Sequence, residues 1–126
     1  MAAEDLAEEL RKFGLNYPEA HLKSPWPGHL DLAVKDKTFA YLPPPGQPFS
    51  LSVKLPFSGP EALELPFAKP TGYGLGRSGW VSFDPAPNEI PPFETLKSWI
   101  DESYRAQAPK KLIKLIGLFD AAPTSD

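Results

Sequence analysis

Seventeen of the 126 residues are proline, and their placement limits what the chain can fold into more than any other feature. Proline locks φ at about −65° and has no N–H, so it breaks helix interiors and is confined to the ends and edges of strands. Regular elements must therefore fit between the prolines. "LPPPGQP" (Leu42 to Pro48) separates two runs that alternate in hydrophobicity, and "DPAPNEIPP" (Asp84 to Pro92) separates a strand pattern from a helical one. Both stretches read as rigid turns at element ends rather than as linkers. A chain of 126 residues is long enough for one domain with a core and too short for two. We expect a single domain over residues 1–126, with a disordered tail from about residue 120.

The segments between the prolines can be read one by one. Leu6, Leu10 and Phe13, with Ala3 and Ala7, share one helical face that Gly14 ends. "HLDLAVK" places Leu30, Leu32 and Val34 on one side of a strand, and Lys35 to Lys37 turn it back into "TFAYL". In "FSLSVKL", Phe49, Leu51, Val53 and Leu55 point one way and Ser50, Ser52 and Lys54 the other. Ser58 and Glu61 have the spacing of a capping box and predict a short helix ending by Pro66. "WVSF" is a further strand. Leu96, Trp99, Ile100, Ser103 and Tyr104 then recur at helical spacing, Pro109 interrupts, and "KKLIKLIGLF" resumes. The sum is an α+β sandwich, an antiparallel meander sheet packed against N- and C-terminal helices.

Composition excludes several classes. The chain is 41% hydrophobic and 23% charged, which suits a globular protein rather than a disordered one. No apolar run approaches the roughly 18 residues of a membrane span. The start, "MAAEDLAEEL", is acidic and amphipathic, unlike a signal peptide, so a cytoplasmic protein is expected. Without cysteine there is no disulfide, thiolate metal site or cysteine nucleophile, and His21 and His29 are the only histidines. The net charge of −3 resides in the first 22 residues; the remainder is balanced. Within it, Arg105, Lys110, Lys111 and Lys114 follow one another without an intervening acid.

"GLGRSGWV" (Gly74 to Val81) fits the G-x-G-x-x-G-x-V spacing of a kinase phosphate loop. No V-A-I-K-type strand or H-R-D-type loop follows it, and the strand-before, helix-after setting of a dinucleotide fingerprint is missing. The glycines read instead as a tight, partly extended loop leading into the Trp80 strand and presenting Arg77. His29 has no serine partner suggested by spacing, and the paired acids Glu8 and Glu9, and Asp101 and Glu102, are neighbours that point apart on helices. We expect no enzyme activity, no cofactor and no metal.

"PWPGHLDLAVKDKTFAYL", "LSVKLP", "PTGYGLGRSGWVSF" and "IDESYRAQAPKKL" occur in an order and spacing that resemble the MmcQ/YjbR family of small bacterial proteins, over about residues 4 to 112. Arg77, Trp80, Ser103, Tyr104, Lys110 and Lys111 carry the most specific part of the resemblance. Many members have Lys-Arg-His before the tryptophan, where this chain has Arg77-Ser78-Gly79. The resemblance implies a CyaY-like fold and DNA binding through two hairpin wings. Lys35, Lys37, Lys54, Lys69 and Arg77, joined by Lys110 and Lys111, would then reach phosphates, with glycine N–H groups as further donors. An alternative ligand is a small planar aromatic molecule. Its pocket would lie between the sheet and the glycine loop, walled by Trp26, Tyr73, Trp80 and Tyr104, with His29, Gly74, Gly76 and Gly79 nearby. A third reading makes the acidic N-terminal helix a protein-interaction surface. A monomer is expected.

Overall fold

The computed structural model describes residues 3–24, 30–43, 47–72 and 75–116. Trp26, His29, Tyr73, Gly74 and the tail from residue 117 lie outside the described residues, as do Pro44 to Gly46. The first helix, α1 (Ala3–Gly14), buries Leu6, Ala7 and Leu10, as the helical spacing requires. Its last turn carries Arg11 and Lys12, cations that suit the negative end of a helix. The six strands are β1 (Ala20–Lys23), β2 (Asp31–Val34), β3 (Lys37–Tyr41), β4 (Leu51–Lys54), β5 (Ala68–Pro70) and β6 (Trp80–Phe83). They form one antiparallel sheet in the order β1-β2-β3-β4-β6-β5. The chain meanders as far as β4; β5 then goes to the far edge and β6 inserts between them.

β1 and β5 were not expected from sequence. Both are edge strands with one neighbour each, where short, weakly alternating segments suffice. Pro70 is tolerated in β5 because an edge strand needs hydrogen bonds on one side only. The remaining strands follow the alternation in the sequence. Phe49, Leu51, Val53 and Leu55 are all buried, and Ser50, Ser52 and Lys54 are half-buried on the other side.

A short helix, α2 (Gly59–Ala62), follows β4, and α3 (Phe93–Gln107) follows β6. Leu96, Trp99, Ile100, Ser103 and Tyr104 of α3 are buried against one face of the sheet beside α1. Burying the four apolar ones, Leu96, Trp99, Ile100 and Tyr104, contributes on the order of 6–12 kcal/mol of apolar transfer, before conformational entropy is subtracted. Tyr104 stacks on Tyr17 with ring centroids 4.6 Å apart and meets Phe39 edge-on at 5.2 Å. Its hydroxyl donates to the Pro18 carbonyl at 2.7 Å. Residues 110–116 are helical again beyond Pro109, with Leu112 and Ile116 in the same core.

The expected capping box at α2 does not form. Ser58 has helical φ and ψ, and its side chain makes no capping bond. Its hydroxyl donates instead to Glu102 Oε1 on α3 at 2.6 Å, while Oε2 accepts the N–H groups of Phe57 and Ser58 at 2.8 and 3.0 Å. A carboxylate from another element out-competes the local one, because it accepts three donors at once.

Candidate functional site

Strand direction decides which turns share an end of the sheet. β2 ends where β3 begins, β4 returns to that end, and β6 starts there opposite Lys54. The β2–β3 turn, the turn after Lys54 and the loop before Trp80 are therefore neighbours. Four of the predicted basic residues, Lys35, Lys37, Lys54 and Arg77, come together at this end. From β2 to β6 the row crosses three strand spacings, about 14 Å at roughly 4.8 Å each. The C-terminus of α3 points to the same end, since Gln107 Nε2 donates to the Thr38 carbonyl at 3.0 Å. Lys110 and Lys111 follow it on the helical side and are exposed.

The β2–β3 connection is a two-residue turn with positive φ at both central residues, 49° at Lys35 and 64° at Asp36. This is the type I′ pattern that matches strand twist, at some cost for residues with a Cβ. Glu19, in the turn just before β1, also has positive φ, 58°. Its carboxylate pairs with Lys35 Nζ at 2.8 Å. That hydrogen bond and charge, with a weaker contribution from Lys111, hold the Glu19 carboxyl below its usual range. Lys35 is thus partly neutralised within the chain. Lys37 and Arg77 are exposed, and Lys54 is half-buried.

The glycine loop is more compact than an extended approach to β6. Leu75–Ser78 form a 3-10 turn, and Gly79, with φ 94°, reverses into the strand. The Gly79 carbonyl accepts the Leu55 N–H at 2.8 Å. Residues 55–59 therefore pack directly against the Arg77 loop. At their apex sits Phe57, 88% exposed, a residue whose position next to the basic row sequence reasoning missed. Its signal was weak: one aromatic between Pro56 and Ser58.

The expected aromatic pocket is not assembled by the residues described. Trp80 and Tyr104 lie on opposite sides of the sheet. Val81 and Phe83 point to the helices, so Trp80 points to the other face, where its ring meets Tyr41 at 5.3 Å. Tyr104 is fully buried on the helical side. On the Trp80 face, Ser82 Oγ lies 2.8 Å from Ser52 Oγ and 2.9 Å from Thr71 Oγ1, a chain of hydroxyls across three neighbouring segments. Exposed Lys69 is opposite Ser82 on the edge strand.

Arg11 is a buried cation that sequence reasoning also missed. It is 2% exposed and donates to the carbonyls of Leu30, at 3.1 Å, and Pro43. It ties α1 to the segments on either side of the β2–β3 hairpin. Among the described residues no group of three His, Asp or Glu side chains is placed to hold a metal ion. No described helix is long and apolar enough to cross a membrane.

A family model described as YjbR matches residues 15–106. The chain also resembles the crystal structure of Deinococcus radiodurans protein DR2400, which carries the family domain DUF419. The TM-score is 0.67 at 24% identity, over 87% of this chain and 86% of that one. This likeness shows the α+β fold. No curated protein matches the chain.

Proposed function

The chain belongs to the YjbR family, and from that premise we propose that it is a non-enzymatic protein that binds duplex DNA through the basic end of its sheet. The observation that carries the reading is the convergence of Lys37, Lys54 and Arg77, with Lys35 beside them, from separate elements at one sheet end. Their span of about 14 Å is comparable with the roughly 12 Å width of the DNA major groove. Three available cations imply three phosphate contacts, which supply non-specific affinity and carry no sequence information. Of the acids close by, Glu19 is engaged by Lys35 and Glu102 by the turn at Phe57, while Asp36, between Lys35 and Lys37, is exposed and offsets part of the positive charge. The two left-handed residues at the hairpin tip fit a strained, rigid presentation of lysine.

Fluorescence anisotropy with labelled duplexes across a salt series tests the reading. The expected affinity at physiological salt is in the range of about 10⁻⁴ to 10⁻⁶ M, with a log–log salt slope of roughly −3. Replacing Lys37 and Arg77 together by alanine should flatten that slope by about two units, equally for unrelated duplexes. Absence of salt-dependent binding at low ionic strength sinks the proposal, as does an unchanged slope in the double variant.

A further inference from the structure

On the helical side, between α2, the start of β5 and the first half of α3, lies a groove of about 570 Å³. That volume is within the range of small-molecule sites, roughly 300–1,000 Å³. Its floor is apolar, formed by Ala62, Leu65, Phe67 and Trp99. The ionisable groups lining it are two carboxylates, Glu61 on α2 and Glu89 before α3, and no lysine or arginine lines it. Glu89 is held by the N–H of Ala86, which donates to its Oε1 at 2.9 Å and leaves the second oxygen available.

Trp99 supplies a second, independent observation. It is 8% exposed and lines this groove. Phe83 stacks against it at 4.2 Å and 10°. An aromatic side chain anchored in the core therefore forms part of the groove wall.

We propose that this groove binds a small organic cation, an amine carrying an aromatic or alkyl body. The body lies on Trp99 and Phe67, where apolar area is removed from water, and the ammonium is held by Glu61 and Glu89. An aromatic floor favours a cation further through the ring quadrupole. The same carboxylates exclude anionic aromatics, which would have to be desolvated beside like charge. The site shares none of the cations of the basic row, so its occupancy does not depend on the DNA reading.

The test is an NMR titration of the ¹⁵N-labelled full chain, read at the Trp99 indole N–H, with that resonance assigned through Trp99→Phe. Three probes of one shape are compared at neutral pH: phenethylammonium, 2-phenylethanol and phenylacetate. The expected result is a saturable shift with the ammonium, with a dissociation constant of about 1 mM for so small a ligand. The alcohol should bind at least about tenfold more weakly, and phenylacetate should leave the resonance unmoved. Glu61→Gln and Glu89→Gln, each with an unchanged spectrum elsewhere, should each weaken the ammonium several-fold. The proposal is overturned if the Trp99 resonance does not respond to the ammonium. It is equally overturned if the alcohol binds as well, or if both glutamine variants bind like the parent chain.

Discussion

Ser103 shows how much one hydroxyl can hold. It sits on the buried face of α3, where β3 and β4 cease to pair directly, and spans the gap. Its Oγ accepts the Lys54 N–H at 2.8 Å and donates to the Phe39 carbonyl. Ser103→Ala would leave both backbone groups without that partner in a buried place, and should cost about 1–3 kcal/mol in a denaturant titration. A loss under about 0.5 kcal/mol would mean that the strands can close the gap themselves. Glu19 is a residue-scale control on the basic end. Its carboxyl is held below the ordinary 4.5 by Lys35. The pair is therefore intact above that value and lost as pH falls through the lowered one. At neutral pH, Glu19→Gln should release Lys35 and steepen the DNA salt slope by about one unit. If the slope stays the same, Lys35 is not part of the contact surface.

At the scale of elements, α3 and β4 were legible because their burial follows period. Leu96, Trp99, Ile100 and Tyr104 of α3 and Leu51 and Val53 of β4 recur at the period of their element and are buried, with Ser103 as the one polar residue on the buried face of α3. β1 and β5 were not legible, since an edge strand of three or four residues carries too few alternations to stand out. The glycine loop was half legible. Closely spaced glycines predict positive φ in at least one of Gly74, Gly76 and Gly79, and Gly79 has it, at 94°. Its compact 3-10 turn lies against β5 and β6, contacts set by the fold that could not be read. A Cβ at Gly79 would lie 3.6 Å from Pro56, an ordinary contact, so the cost of Gly79→Ala is conformational. We expect a loss of about 1–2 kcal/mol in thermal or chemical unfolding. Wild-type stability in that variant would show that the loop can relax to negative φ.

For the whole molecule, Tyr104 joins the helices, the sheet and the loop after α1 into one core. Burial first, and the Glu19 charge second, raise its phenol above the ordinary 10.0. The folded state keeps the neutral form, so this contribution to stability is complete below about pH 10 and is lost as pH rises beyond it. Tyr104→Phe should accordingly flatten the alkaline limb of a stability–pH curve, while losing the bond to Pro18. Equal alkaline slopes in the two proteins would remove Tyr104 as a titrating group. What the sequence by itself determined is the α+β class, the core and the helical faces. Apolar period and proline placement are local properties, written in consecutive residues. Tertiary structure alone decided that Lys37, Lys54 and Arg77 share an end of the sheet, that Trp80 and Tyr104 are divided by it, and that Glu102 rather than Glu61 holds the turn at Ser58. Each of these joins residues far apart in the chain, so it depends on strand order and direction, which no local pattern specifies.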